Sequence, residues 1–346
     1  ARAGMVPFLL TMGLGVLAAA GGAGDAAAGL VGSAQYFGAL GAIGYSREQE
    51  SRADQAGATI LEKAGLSGRG LADFFNNFRY QEVFDQYRRY RFFIDHPLSS
   101  DRIDALQSRV EAMPHYREVD SPQAIAEHEI MKAKLEGFLE PQVAIVKYPE
   151  SDKSFPAQYA RAIAYYQMKE PDQALKRLAP LIQQHPDDPY LYELKGQILF
   201  EYGHADQAEA PQRKSVELKP NAPLLHINLG QTLVALDDPK KVAEGVVELK
   251  KALAEENDNA DGWRILAQAY DKEHKDGMAR LATAEYEFAI GNQRQALVFA
   301  MRARERLPKN SPEWRRATDI VLVSKPSRQD LEDLAKDGSI AKSQVN

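Results

Sequence analysis

Two short segments in the first third of this 346-residue chain hold the side chains best suited to chemistry. The first is Ser46-Arg47-Glu48-Gln49-Glu50-Ser51-Arg52-Ala53-Asp54. Glu50 and Asp54 are four residues apart, so on a helix they share one face. Arg47 stands three residues before Glu50, at ion-pair spacing. The second segment is Asp95-His96-Pro97-Leu98-Ser99-Ser100-Asp101-Arg102-Ile103-Asp104-Ala105-Leu106. Here a histidine enters a proline turn, and Ser99 or Ser100 is placed to cap the helix that follows. Carboxylates and imidazoles bind metals and move protons. On composition alone, though, the first segment is a solvated helical face with exchangeable ion pairs.

What is missing narrows the chemistry. There are no cysteines, which excludes thiolate nucleophiles, disulfides and cysteine-ligated metals. The seven histidines are His96, His115, His128, His185, His204, His226 and His274, and no two are four apart. A His-Glu-x-x-His helix is therefore not in this sequence. His128-Glu129 lacks the second histidine, and the histidines other than His96 read as surface or packing residues. The glycines from Gly21 to Gly32 have neither a preceding strand nor a following Lys-Ser/Thr, so they make no phosphate loop. The net charge of -6 and the scattered basic residues give no nucleic-acid footprint. The densest cluster, Arg88, Arg89 and Arg91, is too small to change that.

The elements that must position these groups divide by character. Residues 1–45 are apolar and rich in Gly and Ala. Three readings stand for residues 5–45: a secretory signal, a weak membrane span, or a buried helical hairpin broken at Gly21-Gly22-Ala23-Gly24, which is the favoured one. Residues 46–113 are charged and helical by pattern. Residues 114–153 form a linker with scattered prolines and one helix near 121–138. The stretch from Gln142 to Tyr148 is rich in β-branched residues but has no partner strand, and reads as extended linker or a helix end. The class is all-α.

From about residue 154 the pattern becomes periodic. A small residue recurs as Ala162, Gly196 and Gly230, each 34 residues after the last. Ala174 and Ala208 repeat the interval, as do Pro186 and Pro220. A small residue lets two antiparallel helices approach, and a proline ends the second helix. Each unit leaves an apolar face that only a neighbour can cover, so the units stack. The pattern resembles the tetratricopeptide repeat, with Tyr165 at its aromatic position. Pro211 departs from it and should kink or shorten its helix. Repeat three lacks the closing proline. Trp263, Leu266, Ala267 and Tyr270 mark a further first helix, and Ala284, Ala296 and Pro308 mark the last unit. The array spans 154–323, with a capping helix from Trp314 to Val323, and 324–346 reads as a flexible tail. Its aromatic residues are core packing.

Together the two early segments resemble the gluzincin zinc metallopeptidases of the HtpX and BepA type. These carry His-Glu-x-x-His on one helix, Glu-x-x-Ala-Asp on a later one, and then a His-Pro segment followed by an arginine. Glu50-Ser51-Arg52-Ala53-Asp54 matches the second element, and His96-Pro97 through Leu106 matches the third. The resemblance covers residues 1–113 and implies the C-terminal part of a helical metallopeptidase domain. It implies Glu50 as the third zinc ligand and Asp54 behind it, with Arg47, orienting a ligating histidine. His96 would approach the metal on a loop, either taking the water position or stabilising an oxyanion. The zinc helix is expected upstream of Ala1, so this chain alone should neither hold zinc tightly nor hydrolyse peptides.

The function implied is a zinc-dependent endopeptidase of periplasmic protein quality control and outer-membrane protein assembly. Its partners would be protein or peptide substrates, outer-membrane proteins or their assembly machinery, with peripheral membrane contact through residues 5–45. The alternative is a non-enzymatic tetratricopeptide adaptor whose N-terminal helices are a packing module. A third, weaker reading makes residues 5–24 a membrane anchor for a scaffold.

Overall fold

A computed structural model describes residues 48–77 and 100–342. Among these every regular element is a helix, as the sequence pattern requires. The chain divides into two compact units, residues 1–125 and 126–346. No described helix is long and apolar enough to cross a membrane. Residues 5–45, Arg47 and His96 lie outside the described residues.

In the first unit, α1 covers residues 48–63, α2 Arg69–Asn76 and α3 Ser100–Glu111. Ala58 from α1, Ala72 from α2 and Leu106 and Val110 from α3 meet Met113 in one small apolar core. The approach is close at Gly68, which leads into α2. A Cβ there would stand 2.7 Å from Val110 Cγ1 and 2.9 Å from Met113 Sδ. Ser67 ties the same turn down by donating to the Tyr116 carbonyl at 2.8 Å.

Helix α4 spans Pro122–Leu139 and α5 Pro141–Lys147. The stretch from Gln142 is thus helical and not extended linker. Its helix begins at Pro141, where a missing N–H costs nothing. Ile130 and Phe138 of α4 pack on the first repeat's core, so this part of the linker is built into the array.

The array continues as α6 (Phe155–Gln167), α7 (Pro171–Gln184), α8 (Pro189–Glu201), α9 (Ala205–Leu218), α10 (Pro223–Ala235) and α11 (Pro239–Glu255). Then come α12 (Ala260–Lys272), α13 (Asp276–Ala289), α14 (Gln293–Arg306) and α15 (Pro312–Val323). Caps start the helices where the sequence supplies them. Asp188 accepts from the Tyr190 N–H, Asp238 from those of Lys240 and Lys241, and Asn259 from that of Gly262. The recurring small residue works as expected. A Cβ on Gly230 would meet Leu249 Cγ at 2.7 Å, and one on Gly196 would meet Gln212 at 2.5 Å.

The period breaks after the third repeat for a simple reason. Helix α11 has 17 residues where α7 and α9 have 14. The next small residue, Ala267, accordingly falls 37 residues after Gly230 and not 34. The left-handed residues that turn each hairpin keep the same count: Lys169, Gly203, Asp237 and then His274.

Two expectations are corrected. Pro211 does not shorten its helix, since α9 runs as long as α7, which also carries an internal proline, Pro180. Nor is 324–346 simply a flexible tail. Arg328–Lys336 forms α16, started by a reciprocal cap between Ser327 and Asp330. Leu334 and Ile340 are buried against Leu297, Val298 and Met301 of α14.

Candidate metal-site segment

Helix α1 forms because residues 48–63 contain neither proline nor a breaker run, and its inner face supplies Ala58 to the core. That packing fixes the face carrying Glu50 and Asp54, one turn apart. Helix α3 brings Arg102 against them. The Arg102 Nη2 donates to Asp54 Oδ1 at 2.9 Å, and its Nε bonds the other oxygen, Oδ2. The same Nη2 lies 3.2 Å from Glu50 Oε2. The guanidinium carbon sits 5.3 Å from the Phe75 ring centroid, a cation–π contact from α2. A second bridge, Arg109 to Glu62 at 2.6 Å, joins α3 to α1 two turns further on. Residue numbers rise together along both helices, so α1 and α3 run in the same direction.

The arrangement is buried at its centre. Asp54 is 7% exposed and Arg102 9%. Burial pulls the Arg102 guanidinium pKa down, but the hydrogen bonds and charges of Asp54 and Glu50 together outweigh it and hold the group above its ordinary value. Arg102 therefore stays charged, and it is the planar fork that a bidentate carboxylate contact needs. Burying such a fork between two carboxylates leaves each with a fixed orientation.

Of the sequence-derived site residues, Glu50 and Asp54 come together, linked by a residue not singled out for the role. Arg102 belongs to the second segment, and only the pairing of α3 with α1 reveals its function. Its position after the His-Pro turn was the available signal. Of the described histidines, His115 pairs with Glu118 at 2.6 Å and His128 lies on the exposed face of α4. The other four lie in the array. Among the described residues no group of three or more His, Asp or Glu side chains could hold a metal ion. Glu50 is one candidate oxygen donor, and Asp54 already spends both oxygens on Arg102. By themselves these residues do not compose a zinc site, which needs at least three protein ligands.

Comparison with known proteins agrees with this anatomy. Residues 1–110 match Peptidase family M48, and residues 148–198 match the tetratricopeptide repeat. The chain is 25% identical over 285 residues to the beta-barrel assembly-enhancing protease of Yersinia pestis, covering 80% of this chain and 57% of that protein. It is 24% identical over 279 residues to the putative beta-barrel assembly-enhancing protease of Vibrio cholerae, covering 76% and 54%. With the Escherichia coli beta-barrel assembly-enhancing protease it shares 24% over 240 residues, covering 66% and 47%. The chain spans about half the length of these curated relatives. A segment that matches Peptidase family M48 is thus followed by an all-α solenoid, part of which matches the tetratricopeptide repeat.

Proposed function

We propose that this chain is part of a zinc-dependent endopeptidase of periplasmic quality control, acting where outer-membrane proteins are assembled. The helices α1 to α3 form one wall of its metal centre. Glu50 is the carboxylate donor this wall contributes. Arg102 is a positioning residue that sets the Glu50 carboxylate, and Asp54 anchors Arg102 through Nε and Nη2. The remaining donors and the proton acceptor come from outside the described residues, so these helices are inactive by themselves. His96 and Arg47, by family position, act at the same centre. The repeat array holds a polypeptide, either substrate or assembly partner.

The observation that carries this reading is the Glu50–Arg102–Asp54 cluster, built inside the segment that matches the peptidase family. Solvated ion pairs seldom bury an arginine fork against two carboxylates in this way. The test is zinc content and casein hydrolysis of the full-length gene product, wild type against Glu50→Gln. About one zinc per chain is expected in the wild type, with metal and activity both lost in the variant. A variant that keeps both would sink the assignment of Glu50.

A further inference from the structure

The three hairpins α6/α7, α8/α9 and α10/α11 repeat the same packing, which makes their differences informative. Seven residues into α7 stands Leu178, and seven into α9 stands Gln212. Seven into the longer α11 stands Val246, also apolar and buried, and Leu249, three residues on, is the one that packs against Gly230. Gln212 packs beside Gly196 as Leu249 does beside Gly230, and Leu178 shares its core with the small residue Ala162. Leu178 and Leu249 are fully buried and Gln212 is 1% exposed. Repeat two thus places an amide where its neighbours place buried apolar side chains. The Gln212 Oε1 is buried and accepts no hydrogen bond from a described residue. An unmet carbonyl in a core costs about 1–3 kcal/mol. A leucine would avoid that cost, so the amide calls for a reason beyond packing.

Gln212 forms the floor of a cavity of about 240 Å³ between α8 and α10. Two carboxylates line it, Glu193 and Glu201, and no lysine or arginine does. Among the described residues neither forms an ion pair. Glu201 takes hydrogen bonds from the Tyr166 hydroxyl and from Gln197 Nε2 at 3.0 Å, both neutral donors. Glu193 takes one from Asn228 Nδ2 at 3.2 Å. Burial pushes the Glu193 pKa up, and the more distant Lys134 and the Asn228 bond only partly offset it. Phe200 and Leu224 supply apolar wall, of the kind that covers an aliphatic stem.

We infer that this cavity is a subsite for one basic side chain, a lysine or arginine of a bound polypeptide. The stem would lie on Phe200 and Leu224, and the cationic head would reach Glu193 and Glu201. The Gln212 amide can turn about its last bond and present its oxygen to the ligand's N–H. The inference rests on the reading that the repeats hold polypeptide, and it adds the chemistry they select.

The test uses a fluorescein-labelled Gly-Ser-Gly-Arg-Gly-Ser-Gly peptide and its citrulline counterpart, which keeps the shape and loses the charge. Binding to the full chain is followed by fluorescence anisotropy at low salt. The arginine peptide should bind about tenfold more tightly than the citrulline peptide, as expected for a close charge pair. Glu193→Gln should remove most of that preference. Gln212→Leu should weaken arginine binding while leaving the melting temperature unchanged or higher, which a merely structural glutamine would not do. Equal binding of the two peptides overturns the subsite but leaves the polypeptide-holding array standing. Binding of neither peptide overturns the subsite and removes support from the array reading as well. Zinc content and casein hydrolysis report on the metal centre separately.

Discussion

Replacing Arg102 with methionine tests the central cluster most directly. Methionine keeps an apolar stem of similar length and removes the charged fork, and with it the cation–π contact with Phe75. The loss is the bidentate contact with Asp54 and the 3.2 Å contact with Glu50. Asp54 is then left buried with its bidentate partner gone. Breaking a buried ion pair from one side costs about 3–5 kcal/mol. The lower end, about 3 kcal/mol, applies here because the Glu50 side chain is still 18% exposed and can recover water. Global melting is a poor readout, since the array is a separate compact unit with its own transition. Amide hydrogen exchange, resolved by peptide, reads α1 and α3 directly. A loss of about 3 kcal/mol should speed their slowest amides by about a hundredfold, at 1.4 kcal/mol per decade. Exchange in α8 and α9 should not move. The double variant Arg102→Met, Asp54→Asn should recover part of the loss, because the stranded charge has gone too. An acceleration below about fivefold in α1 and α3, or a double variant worse than the sum, would refute the reasoning.

Two further outcomes follow from the geometry of the array and of α2. Gly196→Ala should cost about 1–3 kcal/mol, because its methyl must displace the buried Gln212 side chain, whereas Gly70→Ala meets nothing within 4 Å and should stabilise α2 by about 0.5–1 kcal/mol. Chemical denaturation of each variant checks the contrast, and equal shifts would count against the packing argument. The array should also lose stability in acid. Burial raises the Glu248 carboxyl pKa, but hydrogen bonds from Lys251 and His226 lower it by more, and Arg213 holds Glu244 below its usual value. A carboxyl depressed in the fold stabilises above its unfolded pKa, and that stability is lost as pH falls below about 4. Glu193 has the opposite sign, its carboxyl being raised, and so favours the fold slightly at low pH. Melting temperatures between about pH 3 and 6 should fall less steeply in Glu248→Gln than in the wild type, and parallel slopes would contradict this.

How much of this was legible in the sequence depended on whether a signal was local. The 34-residue interval was visible because a close helix approach admits only Gly or Ala, and that constraint sits at one residue. The hairpin turn follows the same interval but was invisible. Its left-handed residue is Lys169, Gly203, Asp237 or His274, and only one of these types announces the conformation. The three-residue extension of α11 broke the interval, yet Trp263, Leu266, Ala267 and Tyr270 still marked the fourth repeat's first helix. The tail from 324 looked featureless because α16 buries only Leu334, and its ordering comes from the surface of α14.

The same distinction separates the two polar clusters. Glu50 and Asp54 were readable as a pair because helix spacing alone puts them on one face. Arg102 was not, because its partners stand 48 and 52 positions away and nothing local marks an arginine as buried. Gln212 looked like an ordinary polar residue on an amphipathic helix. It becomes informative only beside Leu178 and Leu249, once the structure gives the three a common place. A repeat protein carries its own internal controls in this way. A polar residue that breaks a buried apolar position in one unit alone marks where that unit does more than stack. In this chain that unit is the second repeat, where two carboxylates share a cavity that no lysine or arginine lines.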